Sequence, residues 1–236
     1  MRAPDHRVAL HALLVLADGR LPVGSHVHSA GVEAALRDGR LADLDALADF
    51  VVGRLHTTAL AEAAIVAATV RHLVEVAGPP VDVLGMLDGE AGARLPVPAL
   101  RTASRRLGRQ LARVAGRCWP DPVLGALGDV HPNGCHQPVA LGAVAFVIGA
   151  DATEAAMLSL HHSAQTPVQA ALKLGGLDPF GLAAFVAGLA PTITELADLA
   201  AHYATGPLAD LPADTGLLVE IDAVAHDRRT DCLFAT

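Results

Sequence analysis

The sequence predicts an all-α fold, a single domain of about eight to ten helices, on three observations. Hydrophobic residues make up 52% of the 236-residue chain while aromatics make up only 3%. The core must then be built from Ala, Leu and Val, and Ala and Leu are strong helix formers. Helix caps, glycine stops and proline starts punctuate almost the whole length, and no segment sustains the alternation of a strand. No fixed-period repeat divides the chain.

Taken in order, Asp5 can cap a first helix running to about Ala17, with Leu10, Leu13, Leu14 and Ala17 on one face. Asp18-Gly19-Arg20-Leu21-Pro22-Val23-Gly24 breaks it. Ser29 can cap a short second helix that stops at Gly39. From Asp43 the spacing of Leu44, Leu47, Phe50, Val51 and Leu55 is helical, and it resumes from Ala59 to Ala77 before Gly78-Pro79-Pro80. Residues 78–98 are rich in Gly and Pro and read as a connection holding one helical turn. Pro98 suits the first position of the next helix, which runs to about Arg117. Residues 118–138 read as a second loop. Helices follow over Val139–Gly149, Thr153–Leu174 and Pro179–Tyr203, with Pro167 and Pro191 expected to kink or split the last two. Residues 205–216 read as loop, then a short apolar turn, then a polar tail from Ala225 closing on Leu233-Phe234.

Charge and cysteine content exclude several functions. The net charge is −8, from 17 basic and 25 acidic residues, the wrong balance for a protein that binds nucleic acid by neutralising phosphates. Cys118, Cys135 and Cys232 are odd in number and widely spaced, so they form no disulfide framework. The longest apolar run, Val139 to Ala150, is too short for the ~20 residues of a bilayer span. The N-terminus lacks a signal-peptide profile. A cytoplasmic protein with no membrane partner is expected.

The clearest physical signal is basic. Arg101, Arg105, Arg109, Arg113 and Arg117 recur every fourth residue, Arg106 lies beside them, and Ala99–Arg117 contains no acid. A four-residue spacing drifts about 40° per step around a helix, so these side chains form a slowly winding stripe. Like charges one turn apart repel by a few tenths of a kcal/mol per pair. The stripe therefore calls for acidic groups, either this chain's own Asp and Glu or those of an acidic protein partner.

Two histidine clusters invite a metal. His26 and His28 share a loop, but no third ligand adjoins them. His131, Cys135 and His136 combine a thiol with two imidazoles, chemically the better set. For the first pair, packing or hydrogen bonding at a helix start is the expected role; the second cluster, set in a loop, is equally compatible with neutral histidines that face solvent. His161-His162 lie about 100° apart on a helix, so at most one serves any site. No nucleophile elbow, P-loop, HExxH or dinucleotide fingerprint occurs, and neither a catalytic constellation nor a cofactor site is expected.

The segment Leu16-Ala17-Asp18-Gly19-Arg20-Leu21-Pro22-Val23-Gly24-Ser25-His26-Val27-His28-Ser29-Ala30-Gly31-Val32-Glu33 is specific enough to carry a resemblance. An apolar helix, a Leu-Pro-Val-Gly turn, an aromatic-or-His pair and Ser-x-Gly-apolar-Glu together resemble the signature of the UreF family of urease accessory proteins. Ser104-Arg105-Arg106-Leu107-Gly108-Arg109-Gln110 resembles that family's central helix, in which a glycine permits close packing. The ending resembles the family's too: His226, Leu233 and Phe234 match, while Asp227 replaces Glu, Cys232 stands where Arg is common and Thr236 replaces Ser. His26 and His28, where many relatives have Phe and Tyr, point to an actinobacterial-type branch.

The resemblance implies a function. UreF-like proteins are non-catalytic helical scaffolds that dimerise and bridge the accessory protein UreD (also called UreH) and the GTPase UreG. The assembly docks on apo-urease, and GTP hydrolysis drives nickel insertion. Residues 1–236 would form one such domain, with 226–236 a partner-binding tail. Partner-binding roles are expected for Pro22, Gly24, His28, Ser29 and Glu33 in the signature, for Arg105 and Arg109 on the central helix, and for His226, Asp227, Leu233 and Phe234 in the tail.

Overall fold

Alanine-rich helices pack closely only where small side chains face each other, and the architecture follows from where the smallest lie. The computed structural model describes residues 6–19, 21, 30–75 and 78–227, with side chains to Val224. Among these residues there is no strand. The helices are α1 (His6–Ala17), α2 (Val32–Arg37), α3 (Leu44–Arg54), α4 (Leu60–Glu75), α5 (Pro80–Ala93), α6 (Pro98–Cys118), α7 (Pro122–Val130), α8 (Gln137–Ile148), α9 (Ala152–Gly175), α10 (Pro179–Gly188), α11 (Ala190–Tyr203) and α12 (Leu217–Asp227). A π turn over Leu55–Ala59 joins α3 to α4 without a break, leaving eleven helical rods, and a 3₁₀ turn spans Leu208–Asp210.

The central rod is α4. From Ala63 to Val70 every residue is buried, as expected of a helix that is apolar all round. It is enclosed by α8, α9 and α11. The rod Leu44–Glu75 has the length and hydropathy of a bilayer span, and the packing of α4 inside the bundle accounts for its apolar residues. At the α4–α8 crossing a Cβ on Gly142 would stand 2.5 Å from Thr69 Cβ and 2.8 Å from the Val66 carbonyl. The two backbones meet there with no room for a side chain.

Most boundaries agree with the sequence reading. Asp43 caps α3, its side chain accepting from the Ala46 N–H at 2.9 Å. Asp151 and Glu154 form a reciprocal capping box on α9. Gly39 (φ +71) and Gly149 (φ +83) follow the ends of α2 and α8 in the left-handed conformation that glycine tolerates. Pro191 marks a real break, since α10 and α11 meet at 43°.

Five expectations fail, each for a physical reason. Residues 78–98 hold the fourteen-residue α5, and residues 118–138 hold α7. Glycines 85, 89 and 92, and 125 and 128, lower helix propensity by about 1 kcal/mol each. Burial of Val83, Leu84, Leu87 and Ala91 on α5, and of Leu124 and Leu127 on α7, overrides them. Pro167 is buried inside α9, which runs on from Ala152 to Gly175, so the helix is not split there and packing overcomes the lost bond. The N-cap of α2 is Gly31 (φ +90), not Ser29. The short apolar turn after residue 216 is the eleven-residue α12, which takes up His226 and Asp227 at its end. Asp5 as a cap, and Leu233 and Phe234, lie outside the described residues.

Candidate partner interface

Three surfaces bear on binding, and α6 anchors the first. Gly108 lets the loop after α7 lie directly on this helix. A Cβ there would stand 2.2 Å from the Cys135 carbonyl oxygen and 2.9 Å from the His136 carbonyl carbon. Gly134 (φ +90), in the same loop, meets the same turn of the helix, its notional Cβ 2.6 Å from Arg109 Cβ. Asp88 on α5 ties the contact together. Its carboxylate accepts from the His136 N–H at 2.7 Å and from Arg105 Nη1 at 2.9 Å, and Arg105 also donates to the Gly134 carbonyl at 2.7 Å. Ser104 Oγ accepts from the Gln137 N–H at 3.1 Å. The close approach expected of Gly108 is there.

The arginine stripe accordingly divides. Arg101 donates to the Leu95 and Pro96 carbonyls and Arg105 to Asp88 and Gly134, so both serve the chain's own fold. Arg106, Arg109, Arg113 and Arg117 are exposed, and among the described residues none has an ion pair. Arg101 and Arg105 pair internally, and the other four arginines face outward.

The histidine–cysteine cluster is dispersed by the same loop. Cys135 is buried, its Sγ 3.5 Å from the Leu127 carbonyl. Burial first, and the neighbouring Asp88 charge second, push its thiol up to about 12. His136 is completely buried, with neither ring nitrogen hydrogen-bonded, and burial lowers it to about 4. His131 accepts from the Asn133 N–H at 3.1 Å. Among the described residues no three His, Cys, Asp or Glu side chains converge to hold a metal ion. His26 and His28 lie outside them.

The second surface is a cleft of about 560 Å³ between α1, α4, α6, α9 and α12. Arg54 at the end of α3, Thr58 in the π turn and Glu62 at the start of α4 line it. Burial raises the Glu62 carboxyl, against the opposing pull of the Arg54 charge and a hydrogen bond from Ser163. Arg54 Nε and Thr58 Oγ1 are buried without a hydrogen-bond partner. His162 faces the same cleft and contacts the Leu16 carbonyl through Nε2 at 3.0 Å, and burial lowers it to about 4. Both ends of the signature segment border the cleft, at Asp18, Gly19 and Leu21 on one side and Ala30 and Gly31 on the other. Pro22, Gly24, His28 and Ser29 lie outside the described residues. Glu33 is 6% exposed and accepts from Arg37 at 3.2 Å, which makes it a holder of α2 rather than an open contact point.

The third surface is α12, and it is inside out. Asp222 is buried and accepts from Arg40 Nη2 at 2.7 and 2.9 Å. Val219 lies over Gly31, 3.9 Å from its notional Cβ. Leu217, Leu218, Ile221 and Val224 are instead 68%, 60%, 54% and 39% exposed. Residues 217, 221 and 224 share one face of a helix, so the apolar stripe points to solvent while the acid points inward. α10 is unusual in another way. Pro179–Gly188 contains no charged residue, yet only Leu182 is buried and Phe180 is 83% exposed. Apolar surface of this kind marks interaction sites. The sequence reading missed both surfaces, and the signal in each case was four or more apolar residues in a stretch short of polar ones.

Comparison with known proteins agrees with this picture of a binding protein. The UreF family model matches residues 41–190. That span holds the Gly108 and Gly142 contacts, while the signature and the tail flank it. A urease accessory protein UreF of Mycobacterium sp. (strain JLS) is 40% identical over 228 residues, covering 96% of this chain and 99% of the relative. Those of Mycolicibacterium vanbaalenii and Mycobacterium tuberculosis (strain H37Rv) are 38% and 37% identical, each covering 97% of this chain and 99% of the relative. These relatives span the flanking segments as well, and they are mycobacterial, in keeping with the branch suggested by His26 and His28.

Proposed function

The chain belongs to the UreF family of urease accessory proteins, and we propose that it performs the scaffold's part in nickel insertion by bridging UreD/UreH and the GTPase UreG on apo-urease. Membership of the family makes it a non-catalytic accessory protein of urease maturation. The finer assignments rest on the surfaces. The observation that carries them is the inverted α12, whose Leu217, Leu218, Ile221 and Val224 face outward. A helix that buries its acid and exposes its leucines suits a partner better than solvent.

In this reading α12, with His226 and Asp227 at its end and Leu233 and Phe234 beyond, docks UreD/UreH. The signature residues Pro22, Gly24, His28 and Ser29 are assigned to the same partner, because Gly31, which follows them in sequence, packs beneath Val219 of α12. Glu33 and Arg105 act as positioning residues, and Arg109 as a direct contact. The uncharged α10 closes a homodimer, because interfaces of the permanent kind resemble a core cut in half. The complex works in the cytoplasm, with nickel as cargo.

The test is co-purification with UreD, UreG and apo-urease. Leu218→Asp with Ile221→Asp should keep the parental melting temperature and lose UreD. Retention of UreD at parental yield would contradict the assignment of α12.

A further inference from the structure

A groove of about 270 Å³ runs between α6 and α7, apart from the central cleft. Arg109 and Arg113 form one wall, Gly125 and Gly128 lie on the α7 side, and His131 and Gly134 close one end. The two arginines are one helical turn apart, about 6 Å along the axis. Both are exposed and without an ion pair among the described residues, as are Arg106 and Arg117 above and below them. Neither Asp121 nor Asp129, the acids that follow the arginines in sequence, lines the groove. Four exposed guanidinium groups thus share one face of a chain whose net charge is −8, and none is paired among the described residues.

The glycines make the second observation. Gly125 and Gly128 are exposed positions inside a nine-residue helix, where each costs about 1 kcal/mol relative to alanine. Gly108, Gly134 and Gly142 are needed because a Cβ would strike backbone or a close side chain. At Gly125 and Gly128 a Cβ would meet nothing within 4 Å, and neither has a left-handed φ. Gly53, Gly85, Gly89, Gly116 and Gly188 share that freedom, so these two glycines do no more than leave the α7 side of the groove bare of side chains and open to a partner backbone.

We infer that this groove docks an acidic segment of a protein partner, its backbone against Gly125 and Gly128 and two of its carboxylates on Arg109 and Arg113. The inference rests on the scaffold reading and deepens it by naming the chemistry of one contact. Arg–carboxylate pairs are directional and charge-assisted, and a rim of like charge chiefly speeds association in a salt-dependent way. The open groove and the row of arginines beyond it fit an extended segment rather than a single small anion.

The test uses the full-length chain with purified UreD, UreG and apo-urease, each titrated at about 50 and 300 mM salt. Arg109→Glu with Arg113→Glu reverses the charge, and Gly125→Leu with Gly128→Leu fills the groove without touching any charge. Each pair should leave the melting temperature equal to or above the parent's. Each should weaken one of the three components at least tenfold at low salt, and the charge pair should also flatten the salt dependence of that component. The inference is overturned if all three components bind every variant within twofold of the parent. It is equally overturned if the charge pair melts several degrees lower, which would mean internal pairing. A third contrary outcome is loss of polyphosphate or duplex DNA binding alone, which would mean a phosphate site. Nickel loading of urease with and without the parent chain, run alongside, separates this failure from failure of the scaffold reading.

Discussion

Gly108→Ala is the substitution that the packing condemns most clearly. The new methyl group would stand 2.2 Å from the Cys135 carbonyl oxygen and 3.0 Å from the Gln137 nitrogen. Both are backbone atoms, so no side-chain rotation relieves the clash. To make room, the 134–137 loop must leave α6, and with it go the bonds from His136 and Arg105 to Asp88 and from Arg105 to Gly134. Overpacking costs about 1–3 kcal/mol, and each charged hydrogen bond lost from a buried site costs about 1–3 more. Alanine's helix propensity returns about 1 kcal/mol. The net is about 3 kcal/mol at the low end of these ranges, a fall of at least roughly 6 °C in a domain of this size. Thermal melts followed by circular dichroism give the shift directly. Gly116→Ala is the control, on the same helix with nothing within 4 Å of the added carbon, and it should melt at or slightly above the parental temperature. A Gly108→Ala protein that melts within a degree of the parent would refute the reasoning about this contact.

Other outcomes follow from the same geometry. Gly142→Ala should be as damaging as Gly108→Ala, because Thr69 Cβ and the Val66 carbonyl occupy the space; a melt checks it. Arg105→Glu should unfold or strongly destabilise the free chain by setting a second carboxylate against buried Asp88, whereas Arg109→Glu should not, and urea titration of the two separates them. Acidification should weaken the fold between about pH 6.5 and 4. His136 and His162 are held neutral, near 4, so the unfolded chain binds their protons first and stability falls with pH. Glu62, raised by burial, acts in the opposite sense but is one group against three, since burial lowers His161 as well. His162→Gln should flatten the profile, and an unchanged slope would count against this account of His162.

The helical class and the long central elements were legible because Ala, Leu and Val at helical spacing mean the same thing buried or exposed. Gly108 was legible as a close contact only through the resemblance of Ser104–Gln110 to the family's central helix. The division of the stripe was not. A drift of about 40° per step carries it from Arg101 and Arg105, which face the loops, to Arg109, Arg113 and Arg117, which face outward, and nothing local marks the crossing. α5 and α7 were hidden by their glycines, whose propensity cost is visible in sequence while the compensating burial of Leu84, Leu87, Leu124 and Leu127 is tertiary. α12 reads as a short apolar turn because sequence does not say which side of a helix faces the core. Here it is the side bearing Asp222.

Nickel content of urease gives the most direct test of the central claim. Apo-urease is incubated with UreD, UreG, GTP and nickel, with and without this chain, then repurified and its metal measured. The scaffold account expects occupied sites only when the chain is present, with the chain recovered chemically unchanged and able to serve again. Urease that fills its nickel sites equally well without the chain would contradict it.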